Sequence, residues 1–237
     1  MQQLTASLRS PNLTRTVWAF AIVTGVATAT MLVAKYHGLR QLVWFSTILA
    51  STAYMGIALL GKPHLTRYHL FVFFALSCCW IGDVIGPKNF VWGLYAFLGA
   101  HLFLMAGFWS TGLIWRDCAL ALLPIVPMAG MLLVWILPHV PDDERAAVVV
   151  YTVVISAMVV GAWGARHANS WIVPAALIFY VSDIFVARWR YGGSAINGYL
   201  CYPLYYTSCV LFAMSMWSMQ SVGVQHGQPR EAQGTPI

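Results

Sequence analysis

Charged side chains are scarce in this sequence, and their scarcity excludes a protein that faces water on all sides. Lysine, arginine, aspartate and glutamate make up 8% of the 237 residues, whereas a soluble domain carries about 25%. Hydrophobic residues make up 60%. Because a chain of this composition cannot cover a water-exposed surface, the sequence predicts an integral membrane protein.

Basic clusters and metal-binding cysteine motifs are also missing. The 13 basic residues outnumber the 7 acidic ones, but they stand singly between apolar runs. That distribution suits contact with lipid headgroups and does not indicate binding of nucleic acid. The 5 cysteines show no CxxC spacing, so they indicate buried thiols and neither a zinc site nor a disulfide framework. No GxSxG motif points to a serine nucleophile.

Eight apolar runs alternate with short segments rich in charge, glycine and proline. A helix needs about 20 apolar residues to cross a bilayer, and each run comes close to that length. The predicted fold class is therefore all-α, a bundle of about eight transmembrane helices without an inserted soluble domain. The predicted spans are Thr16–Ala34, Gln41–Leu60, His69–Ile85, Phe90–Thr111, Cys118–Leu137, Ala147–Trp163, Trp171–Ala187 and Tyr199–Met219.

Polar sequence flanks the predicted membrane domain at both ends. We expect an N-terminal polar segment at residues 1–15, the eight-helix domain at residues 16–219, and a polar C-terminal tail, expected to be disordered, at residues 220–237. The first apolar run exceeds the about 7–15 residues of a signal-peptide core, so it is expected to be retained as a helix. The lack of targeting features and the compact size fit a bacterial inner membrane.

Two aspartates stand inside predicted spans. Asp83 lies in CCWIGDVIG and Asp183 lies in IFYVSDIFV. Because a charge in hydrocarbon is costly, such residues usually face the bundle interior and serve a function. The third and seventh predicted helices run in the same direction, and each aspartate lies near the same end of its helix. Both carboxyl groups are therefore expected at a similar depth in the membrane.

Other polar side chains are predicted near that depth. Two neighbouring carboxyl groups in a low-dielectric pocket would share a proton, so that one serves as general acid and the other as general base without a metal. Such a pair suits acid-initiated hydrolysis or proton-coupled transport. For each residue a structural role stays open, as a bond between helices or as part of an interfacial aromatic belt. The candidate supporting residues are His101, Tyr151, Ser182, Tyr205 and Tyr206.

Four segments follow one another along the chain: WIGDVIG, GLYAFLGAHLF, LIFYVSDIFVA and YPLYYTSCVLFA. In order and helix placement they resemble the YhhN/TMEM86 membrane proteins, small eight-helix proteins whose characterised members are lysoplasmalogenases. The resemblance runs from about Leu76 to Met214. The residues that match the family's pattern are Gly82, Asp83, Gly93, Phe97, His101, Ser182, Asp183 and Tyr206.

The resemblance implies hydrolysis of the vinyl ether bond of a lysoplasmalogen, which yields a fatty aldehyde and a glycerophospho-ethanolamine or -choline. It implies no cofactor and no metal, with the lysophospholipid and the bilayer as partners. Asp183 is expected to be the acid and Asp83 the base, and the two roles are exchangeable. His101 and Tyr206 would hold the pair or the headgroup by hydrogen bonds, and the alkenyl chain would enter laterally from the lipid leaflet.

Four other functions stay open. A proton-coupled transporter would use the aspartates as a relay, and small-residue–Asp pairs in the third and seventh helices hint at the parallel repeat of such proteins. A zinc-dependent lipid hydrolase of the ceramidase kind would need more intramembrane histidines. An intramembrane aspartyl protease would need a GxGD context that the second aspartate lacks. A purely structural or partner-binding membrane protein is the fourth, and the oligomeric state is open.

Overall fold

Eight α-helices make up the described part of the chain. The computed structural model describes residues 11–60, 66–193 and 196–218, and each predicted span falls on one helix of that part. The helices are α1 (Pro11–Tyr36), α2 (Arg40–Leu60), α3 (Arg67–Ile85), α4 (Phe90–Ser110), α5 (Trp115–Ile136), α6 (Arg145–Gly164), α7 (Ile172–Tyr191) and α8 (Ile196–Ser218). The all-α prediction is confirmed, and α1 begins five residues before the predicted Thr16. The predicted C-terminal tail lies outside the described residues, as do residues 1–10 of the predicted N-terminal segment and Met219, the last residue of the eighth predicted span.

Seven of these helices, α1 to α7, are long and apolar enough to cross a membrane, so the chain is a multi-pass integral membrane protein. The helix α8 is not among the seven, although it has 23 residues. Its N-terminal half carries four tyrosines and an asparagine, which lower its mean hydropathy. Because α8 packs against α1, α2, α3 and α7, protein surrounds much of it, and a polar composition is tolerated there.

Consecutive helices pack as pairs, as short connections favour. α1 packs with α2, α3 with α4, α5 with α6, and α7 with α8. Contacts of α2 with α3, α4 with α6, α6 with α7, and α8 with α1 join these pairs into a closed ring, and α5 packs mainly on α6. The ring arrangement brings the polar residues of α2, α3, α4, α6, α7 and α8 to a common interior.

Small residues allow α3 and α4 to approach closely near Asp83. A Cβ atom at Gly93 would lie 2.7 Å from the Cα atom of Gly86, and one at Gly82 would lie 2.9 Å from the ring of Phe97. Real Cβ atoms do not approach other carbon atoms this closely, so a larger residue would require the backbone at Gly86 or the ring of Phe97 to move. Glycine at these sites therefore sets the spacing between the two helices, as small residues do in membrane bundles.

Candidate active site

A cavity of about 670 Å³ lies inside the bundle. It is placed toward one end, here called the cavity end, where α1, α3, α5 and α7 finish and α2, α4, α6 and α8 begin. All eight helices contribute to its mainly apolar lining, and its size is typical of a small-molecule site, about 300–1,000 Å³. Both Asp83 and Asp183 line it, together with Tyr151, Ser182 and Tyr205.

Hydroxyl groups from two other helices hold the carboxyl group of Asp83. The side chain of Ser51 in α2 lies 2.5 Å from Oδ2, and the hydroxyl of Tyr205 in α8 donates to the same oxygen at 2.9 Å. The Tyr54 hydroxyl lies 3.4 Å from that of Tyr205 and extends the network. Asp83 is only 6% exposed. The carboxyl group is thus oriented by hydrogen bonds across α2, α3 and α8.

A histidine and a tyrosine accompany Asp183. Nε2 of His101 in α4 lies 3.1 Å from Oδ2 of Asp183 and 3.1 Å from the hydroxyl of Tyr151 in α6. The imidazole is fully buried and its ring packs on Phe179, with the centroids 4.6 Å apart. Within the described residues, Oδ2 of Asp183 has no well-directed hydrogen bond, so the imidazole of His101 is close to this oxygen without being aligned with it.

The two aspartates have separate sets of partners. Ser51 and Tyr205 contact Asp83, whereas His101 contacts Asp183, and the sets share no residue. In the part of the chain that the structure describes, no hydrogen bond joins the two carboxyl groups to each other. Two carboxyl groups with unlike surroundings therefore open onto one cavity, which is the arrangement that lets an acid and a base differ in role.

The remaining predicted residues lie around these two sets. Ser182 faces the cavity, and its hydroxyl lies 3.7 Å from Sγ of Cys201. The ring of Tyr206 packs against that of Tyr205, with the centroids 4.8 Å apart. Its buried hydroxyl lies near Asp83 and Ser51 but makes no well-aligned hydrogen bond to a described residue. Like His101, Tyr206 stands behind the cavity wall rather than in it.

Two contacts of the Asp83 network, those with Ser51 and Tyr54, were not predicted from the sequence. Both residues are buried in α2, which contains no acidic residue. One signal was available, because Thr47, Ser51 and Tyr54 follow one another at the spacing of a single helix face. Nothing in that pattern, however, shows that the face meets Asp83. Across the described residues, no three side chains of histidine, cysteine, aspartate or glutamate converge as a metal-binding group.

Comparison with known proteins agrees with the resemblance noted in the sequence. The model of the YhhN family matches residues 42–216, which include the partners of both aspartates. A protein from Sus scrofa named lysoplasmalogenase TMEM86B is 29% identical over 145 residues, which are 60% of this chain and 61% of that protein. The match thus covers less than two thirds of the relative. No solved structure gives a significant match.

Proposed function

The chain belongs to the YhhN family, and from this membership we propose that it is a lysoplasmalogenase that acts inside a membrane. The proposed reaction hydrolyses the vinyl ether bond of a lysoplasmalogen and releases a fatty aldehyde and glycerophospho-ethanolamine or -choline. The observation that carries the proposal is the pair of aspartates that open onto one apolar cavity. We propose a bacterial inner membrane as the location, which fractionation of the source cells tests.

The cavity suits a substrate with a long apolar chain and a reactive bond near its polar end. Its lining is mainly apolar and includes the polar side chains of Asp83, Asp183 and Tyr151. A lysoplasmalogen would place its alkenyl chain against the apolar wall and its vinyl ether between the carboxyl groups. Entry from the lipid leaflet between helices would spare the chain a passage through water.

The first step would be transfer of a proton from the Asp183 carboxyl group to the β-carbon of the vinyl ether. The carbon–carbon double bond supplies the electron pair for the new C–H bond, and an oxocarbenium ion forms at the carbon attached to oxygen. His101, 3.1 Å from Asp183, would orient the acid and stabilise the carboxylate left behind. The carboxylate of Asp83, whose negative charge is stabilised by the hydroxyls of Ser51 and Tyr205, would stabilise the cation.

Water then completes the reaction. It adds to the cationic carbon while Asp83 takes its proton, which gives a hemiacetal. The protonated Asp83 would return this proton to the glycerol oxygen as the C–O bond breaks. The hemiacetal hydroxyl would lose its proton to Asp183, so both carboxyl groups end in their starting states. The sum is one vinyl ether and one water converted to one aldehyde and one alcohol.

The test uses purified protein in detergent, incubated with a lysoplasmalogen, with released aldehyde as the readout. The native chain is expected to release aldehyde, whereas Asp83→Asn and Asp183→Asn are expected to lose nearly all activity. Asp117→Asn is the matched control, because Asp117 is also a buried aspartate but pairs with Arg166 at the other end of the bundle, Nε to Oδ2 at 2.8 Å. No aldehyde from well-folded native protein would refute the proposal.

Proton-coupled transport is the second candidate. One observation favours it: α3 and α7 each bring an aspartate to the same cavity, as in proteins built from two parallel halves. Reconstitution in liposomes separates the two functions. Proton flux that needs both aspartates, without any release of aldehyde, would support transport and contradict hydrolysis.

A further inference from the structure

The ammonium group of Lys35 is buried at the cavity end of α1 without a hydrogen-bond partner among the described residues. Three aromatic rings from α7 and α8 surround it. Nζ lies 4.4 Å from the ring centroid of Trp189, 4.9 Å from that of Tyr202 and 5.2 Å from that of Tyr199. Aromatic faces attract a cation, but they offer no hydrogen-bond acceptor. The ammonium group is therefore held in place with its hydrogen bonds unused.

Glycine makes room for this arrangement. A Cβ atom at Gly198, in the first turn of α8, would lie 2.5 Å from Nζ of Lys35. Any larger residue at that position would displace the ammonium group from the three rings. The ammonium group of Lys35 thus lies in close contact with the backbone of α8.

Two more donors lie on the lining of the same cavity. The indole N–H of Trp44 is buried and has no acceptor within the described residues. Arg40, one turn earlier in α2, lines the cavity too. Neither Lys35 nor Arg40 forms an ion pair in the described part of the chain. Two of the three donors, Nζ of Lys35 and the indole N–H of Trp44, are buried without acceptors, which is costly. The guanidinium of Arg40 is exposed and adds a second positive charge to the same lining. A lining with these donors suits an anion.

Four acidic residues near this end have partners of their own. Asp83 and Asp183 have their own partners deeper in the cavity. At the surface, Arg145 pairs with Asp142, 2.7 Å from Nη1 to Oδ1, and Arg190 pairs with Glu144, 3.3 Å from Nη2 to Oε1. In the described part of the chain, the buried donors of Lys35 and Trp44 therefore have no acceptor, and Arg40 has no acidic partner.

We propose that Lys35, Arg40 and Trp44 bind the phosphate group of a lysophospholipid whose chain occupies the cavity. The inference rests on the proposed function and names the part of the site that holds the headgroup. The spacing agrees: Trp189, in contact with Lys35, lies six residues after Asp183 in α7, or about 9 Å along the helix. In a lysoplasmalogen, the phosphate and the vinyl ether stand at opposite ends of a three-carbon glycerol unit, a distance of that order.

The match to the family model covers only part of this site. Lys35 and Arg40 lie before residue 42, where the match to the family model begins. Trp44 lies inside the match. The proposed role of the ammonium and guanidinium groups concerns which headgroup the site accepts rather than which bond is cleaved.

A comparison of two substrates tests the proposal. One is 1-alkenyl-glycerophosphoethanolamine, and the other is 1-alkenylglycerol, which has the same vinyl ether but no phosphate. Lys35→Met is expected to raise KM for the first about tenfold, the effect of one lost charge-assisted hydrogen bond, and to leave kcat/KM for the second unchanged. Lys35→Arg keeps the positive charge, so its KM for the first substrate should stay close to that of the native protein. Arg188→Met, which removes a positive charge at the same end but outside the cavity lining, should have no effect.

Direct measurement of lipid binding tests the phosphate site independently of whether the protein hydrolyses the vinyl ether. An alkyl-ether lysophospholipid, which lacks the vinyl group, is titrated calorimetrically into protein held in a maltoside detergent without phosphate. Native protein should bind it more tightly than Lys35→Met or Trp44→Phe, the latter keeping an aromatic ring but not the N–H. Inorganic phosphate at millimolar concentration should not displace it.

The outcomes separate the two proposals. Equal effects of Lys35→Met on both substrates, with aldehyde still released, would overturn the phosphate site and leave the hydrolase standing. Lys35-dependent binding of the alkyl-ether lipid by a protein that releases no aldehyde would support the site and refute the hydrolase. Displacement by inorganic phosphate would assign the site to the free anion and overturn the headgroup proposal.

Discussion

The side-chain oxygen of Ser51 lies 2.5 Å from Oδ2 of Asp83 and joins α2 to α3 inside the membrane. The Ser51 hydroxyl has one proton and also lies 2.9 Å from the carbonyl oxygen of Thr47. When that proton points to Thr47, the short contact requires a proton on Asp83 itself. The pair can therefore accommodate Asp83 in both the carboxylate and the carboxylic acid form, as a base that cycles between them requires.

Ser51→Ala is expected to lower kcat for aldehyde release about tenfold to a hundredfold, because the carboxyl group of Asp83 loses one of its two hydroxyl partners. KM should change little, since the serine does not line the cavity. The measurement is a steady-state assay of aldehyde release. Ser77→Ala is the control, because that hydroxyl bonds only within α3, to the carbonyl of Phe73 at 2.8 Å. Equal activity of both variants would contradict a role for Ser51.

The adjacent tyrosines Tyr205 and Tyr206 form a matched pair. Of the two, the hydroxyl of Tyr205 donates to Asp83 at 2.9 Å, whereas that of Tyr206 makes no well-aligned hydrogen bond within the described residues. Tyr205→Phe should therefore reduce kcat several-fold or more, and Tyr206→Phe should reduce it less. If the order is reversed in the aldehyde assay, the hydroxyl of Tyr206 acts in a way that this hydrogen-bond pattern does not explain.

His101→Gln is expected to lower kcat about a hundredfold, at the lower end of what a positioned acid contributes. The change removes the imidazole that lies 3.1 Å from both Asp183 and the Tyr151 hydroxyl. Tyr151→Phe should have a smaller effect. The two residues act on one carboxyl group. The fold-decrease in kcat of the double variant should therefore be smaller than the product of the fold-decreases of the two single variants. Fully multiplicative losses would show that they act independently.

Gly93→Ala should lower the free energy of unfolding by about 1–3 kcal/mol, the usual result of overpacking. A Cβ atom there would lie 2.7 Å from the Cα atom of Gly86, so α3 and α4 would have to move apart. Thermal unfolding in detergent measures the change. Gly130→Ala in α5 is the control, because a Cβ atom at Gly130 meets nothing within 4 Å. An unchanged melting temperature for Gly93→Ala would show that α3 and α4 can move apart without a loss of stability.

Much of the fold could be predicted from the sequence, because the signal for a membrane helix is local. A run of about 20 apolar residues between polar breaks indicates a span regardless of the rest of the chain, and all eight predicted spans correspond to helices. The same pattern, an apolar run between polar breaks, predicted the helix α8, although its mean hydropathy is lower than that of the other seven helices. Asp83 and Asp183 were identified because acidic residues are rare in such runs.

The partners of those residues could not be predicted in the same way. The hydroxyl of Tyr205 bonds to Asp83 across 122 positions of sequence, and that of Tyr151 meets His101 across 50. Such contacts depend on which face of each helix turns inward, and composition alone does not determine the rotation of a helix in a bundle. Ser51 and Lys35 were missed for this reason, since neither residue type stands out from its neighbours.

The sequence by itself determined that the chain crosses the membrane many times and carries two costly carboxyl groups there, because hydropathy and charge are properties of each segment. Only the tertiary structure decided that both groups open onto one cavity, that Asp83 lies among hydroxyls while Asp183 lies beside an imidazole, and that Lys35 stands at the cavity end among aromatic rings. These are consequences of helix packing, in which close contacts at glycines such as Gly82 and Gly93 set the distances between faces.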